Sequence, residues 1–171
     1  MMRMYNFTAE VREALARARE EAGRLRHGYV GTEHLAMALL QPRSTAVSPL
    51  VAGLDRDALV AELERRAGTA NEPPGMGPDR PYTSSSRRVL ELAMRAAAAR
   101  RDEAVGSEHL LFALLREQRG IGGQVLRAAG LEADAMGVSP RRSALDGPAI
   151  PRGPAGWLRR LLLLARLWPL D

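Results

Sequence analysis

The chain has no cysteine and no lysine among its 171 residues. Without thiols, disulfide scaffolds and thiolate metal sites are excluded, and a reducing compartment is expected. Without lysine, a Walker A phosphate loop is impossible. Aromatic residues make up only 4% of the chain, and Ala and Leu carry the apolar content, which favours helices over a sheet. No stretch reaches the ~20 apolar residues that a membrane-spanning helix needs, and Met1–Glu10 lacks the apolar run of a signal peptide. GxSxG and GxGxxG are also missing. The three histidines have no HExxH spacing, so no metal site is expected. The expectation from these absences is a soluble, cytoplasmic protein with no catalytic residues and no cofactor.

Charge is unevenly placed. Residues 1–138 hold 19 Arg against 18 Asp and Glu, whereas residues 139–171 hold 6 Arg against 2 Asp. The basic character lies mostly in the tail, so the near-neutral body is not expected to bind nucleic acid.

What the chain does have is a phrase that occurs twice. Val30-Gly31-Thr32-Glu33-His34-Leu35 returns as Val105-Gly106-Ser107-Glu108-His109-Leu110, 75 positions later. The register extends to Phe7-Thr8 with Tyr82-Thr83, Arg12 with Arg87, Leu15 with Leu90, Ala22 with Ala97, and Ala38-Leu39-Leu40 with Ala113-Leu114-Leu115. A period this long means a duplicated multi-helix unit.

Helical spacing of Val11, Ala14, Leu15, Ala18 and Ala22 predicts a first helix from Thr8, its N-cap, to about Leu25, with Gly23 and Gly28 marking its end. A second helix opens at Gly31-Thr32 and stops at Pro42. A short third helix is expected near Ala46–Val51, and Asp55 caps a fourth carrying Leu59, Val60 and Leu63. The second copy predicts helices at Thr83–Arg101, Ser107–Glu117 and Ile121–Ala129. Its last helix, from Glu132, is cut short by Gly137, Ser139 and Pro140. The terminal run Trp157–Trp168 reads as an amphipathic helix with Arg159, Arg160 and Arg166 beside a Leu and Trp face.

The polar positions that keep register are the candidate site. Thr8 and Thr83 stand at the starts of the long helices, with Arg12 and Arg87 one turn in. Glu33 and Glu108 follow the starts of the second helices. A helix N-terminus holds anions through its unpaired N–H groups, and an arginine strengthens that pull. A neighbouring carboxylate offers the complement, a seat for a guanidinium or ammonium group. If the helix starts meet, each repeat pairs an anion seat with a cation seat, as a zwitterionic ligand requires. A first-turn glutamate also stabilises a helix with no ligand present. His34 and His109 read as helix-start hydrogen bonders, and Ser84-Ser85-Ser86 beside Arg87-Arg88 as a helix start, not a nucleophile.

Phe7-Thr8, Glu20-Glu21-Ala22, His27, the two motif copies, Tyr82-Thr83 and Arg88-Val89-Leu90-Glu91-Leu92-Ala93 together resemble the double Clp N-terminal domain, or Clp repeat, of the Clp AAA+ unfoldases. The likeness covers about residues 2–138 and is strongest to the ClpC-type branch. It implies an all-α fold of two pseudo-symmetric four-helix repeats, about eight helices with the last truncated, plus the C-terminal helix. The expected layout is repeat one at about 7–67, a linker at 68–81, repeat two at about 82–138, a Pro/Gly-rich linker at 139–156 and the tail helix at 157–168.

The resemblance further implies docking of adaptors and protein substrates for an unfoldase, and binding of phosphoarginine. The family's guanidinium-binding glutamates match Glu33 and Glu108, its helix-start threonines match Thr8 and Thr83, and a phosphate-side basic position matches Arg87. Several features depart from the family. No AAA+ module is in the sequence, Gln41–Ala52 lacks the Gly- and Ala-rich pattern, and Asp102 stands where a second His27 would be. The expectation is a non-enzymatic module that delivers or sequesters marked or misfolded proteins. The alternatives are a regulator that acts on an unfoldase or adaptor through its surface, with a vestigial pocket, and a membrane- or nucleic-acid-associated protein acting through the basic tail. The tail helix itself has three readings: replacement of the missing eighth helix, membrane or partner contact, or no role.

Overall fold

The computed structural model describes residues 6–41, 47–70 and 80–137. The expected inter-repeat linker lies largely, and the tail helix wholly, outside the described residues. Six α-helices and a closing 3-10 helix run in the order β1 (Asn6–Phe7), α1 (Ala9–Arg24), α2 (Thr32–Leu40), α3 (Arg56–Ala67), α4 (Ser84–Arg100), β2 (Ala104–Val105), α5 (Ser107–Arg116), α6 (Ile121–Ala128) and Ala133–Met136. None of the described helices is long and apolar enough to cross a membrane.

The motif helices α2 and α5 form the centre. All nine residues of α2 are buried, and on α5 only Glu108 and Arg116 are not. Helices α1 and α4 are amphipathic and turn Val11, Leu15 and Ala18, or Val89, Leu90 and Ala93, onto that centre. Removing one such Leu side chain from water contributes roughly 1.5–3 kcal/mol. Both long helices start as expected: Thr8 Oγ1 accepts the Val11 N–H at 3.2 Å and Thr83 Oγ1 the Ser86 N–H at 3.1 Å.

Their ends differ from expectation. Neither Gly23 nor Gly28 turns the chain. Arg26 (φ 60°) and its register mate Arg101 (φ 63°) adopt the left-handed conformation. The following amides then reach back, His27 N–H to the Ala22 carbonyl at 2.9 Å and Asp102 N–H to the Ala97 carbonyl at 3.0 Å. This six-residue closure is the Schellman ending, usually built on glycine.

The third helix expected near Ala46–Val51 is not formed over the described residues 47–54, which make successive turns. The Leu50 N–H reaches the Val47 carbonyl at 3.0 Å and the Leu54 N–H the Val51 carbonyl at 3.0 Å. The Val51 N–H also reaches the Val47 carbonyl, at 3.2 Å, but these bonds do not extend into a regular helix. In the second copy, the truncated last element is the 3-10 helix. Its Ala133 and Met136 pack over Phe112 and Ala96.

The repeats are joined crosswise. Phe7 of the first copy pairs in parallel with Val105 of the second, and Tyr82 of the second bridges to Val30 of the first. The Thr8 N–H donates to the Val105 carbonyl and the Thr83 N–H to the Val30 carbonyl, each at 3.1 Å. Each long helix therefore begins beside the motif of the other repeat.

Candidate functional site

The two motif copies share one local design. The glycines at the starts of α2 and α5 offer no capping side chain, and the histidine three residues on replaces it. His34 Nδ1 accepts the Gly31 N–H at 2.8 Å and His109 Nδ1 the Gly106 N–H at 2.9 Å. This is the reciprocal half of a capping box, with imidazole in place of a carboxylate. It bears out the reading of both histidines as helix-start hydrogen bonders.

Glycine at these positions leaves room for the glutamate two residues on. Gly31 and Gly106 have ordinary φ values of −91° and −90°. A Cβ built on Gly31 would stand 2.1 Å from Glu33 Oε1, and one on Gly106 would stand 2.3 Å from Glu108 Oε2. Each glutamate folds back over its own helix start. Glu33 is buried and Glu108 only half-buried. Burial pushes the Glu33 carboxyl above the usual range, opposed by its own backbone N–H, the nearby His27 and the Thr32 hydroxyl.

Accepting at Nδ1 leaves the proton of each motif histidine on Nε2. His34 Nε2 meets His27 Nδ1 at 2.9 Å, and His109 Nε2 meets Asp102 Oδ2 at 2.8 Å. His27 and Asp102 are the residues that follow the left-handed arginines, so the helix ending aims them at the histidines. Tyr29 stacks on the His27 ring, centroids 5.1 Å apart. Burial drives the His34 pKa down to about 3, helped by the neighbouring His27, Arg80 and Arg24.

His27, Glu33 and His34 lie close enough together to hold a metal ion. The hydrogen bonds oppose it. His34 spends its Nδ1 lone pair on Gly31, so a metal at Nε2 would need an imidazolate or a broken cap. The pair is better described as a neutral donor and acceptor. In the second copy, Asp102→Ala is expected to leave the buried His109 Nε2–H without its partner, costing about 1 kcal/mol. A urea midpoint unchanged by the substitution would count against this pairing.

The crosswise pairing sets which predicted residues are neighbours. Thr8 and Arg12 lie at the α1 start beside the α5 start that carries Glu108. Thr83 and Arg87 lie at the α4 start beside the α2 start that carries Glu33. The helix starts expected to meet within one repeat thus meet across the two repeats, because each long helix is hydrogen-bonded to the other copy's motif strand. Arg12 donates from Nη1 to the Phe7 carbonyl at 2.8 Å. Arg87 is exposed.

A model of the Clp repeat (R) N-terminal domain matches residues 6–129. The chain belongs to this Clp N-terminal domain family. It is 36% identical over 120 residues to the ATP-dependent Clp protease ATP-binding subunit ClpC of Staphylococcus epidermidis, a match covering 69% of this chain and 14% of that protein. It is 35% identical over 127 residues to the negative regulator of genetic competence ClpC/MecB of Bacillus subtilis, covering 73% and 15%. The matched stretch is thus only about a seventh of those relatives' length. The solved N-terminal domain of the ClpD chaperone of Arabidopsis thaliana superposes with a TM-score of 0.62 at 23% identity, covering 77% of this chain and 89% of that one. The Hsp104 N-terminal domain of Candida albicans gives 0.62 at 21%, covering 77% and 86%. At these identities both likenesses speak for the Clp fold alone.

The sequence marks Asp102 only as a departure from His27 and gives no contact for Thr32, Glu117 or the arginines of the α4–α5 cleft. Asp102 serves His109 as His27 serves His34. Thr32 Oγ1 accepts the Gly122 N–H at 3.2 Å, fastening the start of α6 to the start of α2. The buried Glu117 accepts the Gly120 N–H in the same corner. Arg88, Arg116 and Arg119 line a cleft of about 480 Å³ with Ser84 and Ser85. For Arg88, the available signal was a break in register: the first copy has Glu13 at that place.

Proposed function

We propose that this Clp repeat domain is a binding module that captures proteins or adaptors for a Clp-type unfoldase, and that it does so without catalysis. The ligand chemistry it suits best is phosphoarginine. The observation that carries this reading is the crosswise pairing of helix starts, which sets Thr83 and Arg87 beside the Glu33 motif and Thr8 and Arg12 beside the Glu108 motif. A phosphoryl group suits the N–H groups, the threonine-capped helix start and an arginine. The guanidinium end suits a carboxylate.

Isothermal calorimetry with phosphoarginine tests it on the wild type and on Glu33→Ala/Glu108→Ala, with circular dichroism as the folding control. The expected result is measurable binding that falls about tenfold or more in the double variant, consistent with loss of charge-assisted contacts. Absence of binding to the folded wild type, or equal binding by the variant, would overturn the assignment.

The burial of Glu33 favours a second reading, in which its carboxylate serves the α2 start and the surface docks an unfoldase or adaptor directly. Retained capture of a Clp unfoldase by Glu33→Ala/Glu108→Ala, with phosphoarginine binding lost, distinguishes that case.

A further inference from the structure

The two helix starts have the same backbone and opposite charge. On α4 the opening residues are Ser84-Ser85-Ser86-Arg87-Arg88, with no acid in the first turn. On α1 the positions of Ser84, Ser85 and Arg88 are taken by Ala9, Glu10 and Glu13. The half-exposed Glu108 adds to the acid around α1, while Arg116 and Arg119 add to the base around α4. Gln41 occupies the register place of Arg116.

The α4 arrangement is electrostatically unfavourable by itself. The start of a helix carries partial positive charge and is stabilised by acids, not by arginines. Arg88 has a partner in Glu91 on its own helix, at 3.7 Å. Glu117, the acid in the cleft wall, already accepts the Gly120 N–H. Among the described residues, Arg87, Arg116 and Arg119 make no side-chain hydrogen bond or ion pair. The cleft of about 480 Å³ collects Arg88, Arg116 and Arg119 around Ser84 and Ser85. It also adjoins the Glu33 motif, because a Cβ on Gly120, next to Arg119, would touch Thr32 Oγ1 at 2.2 Å.

We propose that the cleft between the α4 start and the α5–α6 corner seats an acidic peptide segment, and that its counterpart at the α1 start does not. The inference deepens the phosphoarginine reading and rests on it for the kind of partner. A polypeptide held at Thr83, Arg87 and Glu33 by a phosphorylated arginine would run its flanking residues past Arg88, Arg116 and Arg119. Aspartate or glutamate there would neutralise Arg116 and Arg119, which the fold leaves unpaired, and would add to Glu91 around Arg88. The same flank at the α1 start would meet Glu10 and Glu13. The duplication has thus given one anionic-peptide seat per chain.

Fluorescence anisotropy with two labelled peptides, each bearing one phosphoarginine, tests the proposal. One has Asp and Glu flanks and the other Ser and Gly flanks. The expected result is one equivalent of acidic peptide per chain, bound about tenfold tighter than the neutral one. Arg88→Ala/Arg119→Ala should abolish that preference. Arg65→Ala/Arg66→Ala, which removes equal charge from the end of α3, should keep it. Glu10→Ser/Glu13→Arg should create a second equivalent. Two equivalents of the acidic peptide on the wild type, equal affinity for both peptides, or tighter binding of a single-stranded oligonucleotide would each overturn the proposal. If neither peptide binds better than its unphosphorylated form, the phosphoarginine reading falls. The cleft is then judged by the unphosphorylated acidic peptide, whose failure to bind in an Arg88- and Arg119-dependent way overturns it as well.

Discussion

Acidification is expected to unfold this domain through one imidazole. His34 is fully buried, with its pKa driven down to about 3 from an ordinary 6.5, chiefly by burial. The unfolded chain takes up a proton near pH 6.5 and the native state does not. The stabilisation is therefore complete above that pH and drains away as pH falls toward 3. Between neutrality and about pH 4 the loss amounts to about 3 kcal/mol, because each unit of separation is worth 1.4 kcal/mol. Glu33 acts in the opposite sense. Burial raises its pKa, so it favours the native state at low pH and that contribution is lost as pH rises through its raised value, which offsets part of the slope. Urea titrations of the wild type and His34→Gln across this range isolate the imidazole. Glutamine can still accept the Gly31 N–H, as in an ordinary capping box. The expected result is a much shallower pH dependence in the variant, and parallel curves would refute the assignment.

The second large effect concerns close approach of helices. Gly122→Val is expected to destabilise the domain by about 3 kcal/mol, the upper end of ordinary overpacking. A Cβ at Gly122 would stand 2.2 Å from the Thr32 backbone carbonyl oxygen and 3.2 Å from Ala36 Cβ. A carbonyl in the first turn of α2 cannot move without disturbing the helix start that carries Glu33. Gly31→Ala is the instructive contrast, since its Cβ meets only the Glu33 carboxylate, which can rotate away. That substitution should cost below about 1 kcal/mol, the range of a poor N-cap, while shifting Glu33. Thermal denaturation of the two variants checks the difference, and equal melting temperatures would show that α6 does not rest on α2 as described.

The sequence exposed much of this architecture because the duplication states it twice. Six α-helices start and stop within a residue or two of where apolar spacing and caps place them. There are two exceptions. Residues 47–54 make turns instead of the expected helix, and arginines rather than glycines take the left-handed turns that end α1 and α4. Register also biased the search for function. It drew attention to Thr8, Thr83, Arg12, Arg87, Glu33 and Glu108, which are alike in both copies. Asp102 and Arg88 stand out only by differing from their register mates His27 and Glu13, and register alone assigns them no contact.

By itself, then, the chain determined the duplication, the helices, the caps and a set of polar candidates, because each rests on neighbours within a turn or two. Only the tertiary structure decided which copies face each other. Parallel pairing of Phe7 with Val105 and of Tyr82 with Val30 depends on hydrogen bonds between residues far apart in sequence. Those bonds exchange the partners, so each long helix starts beside the motif of the other repeat. Packing of α4 on α5 brings Arg88 to Arg116 and Arg119 across a cleft that no local pattern encodes.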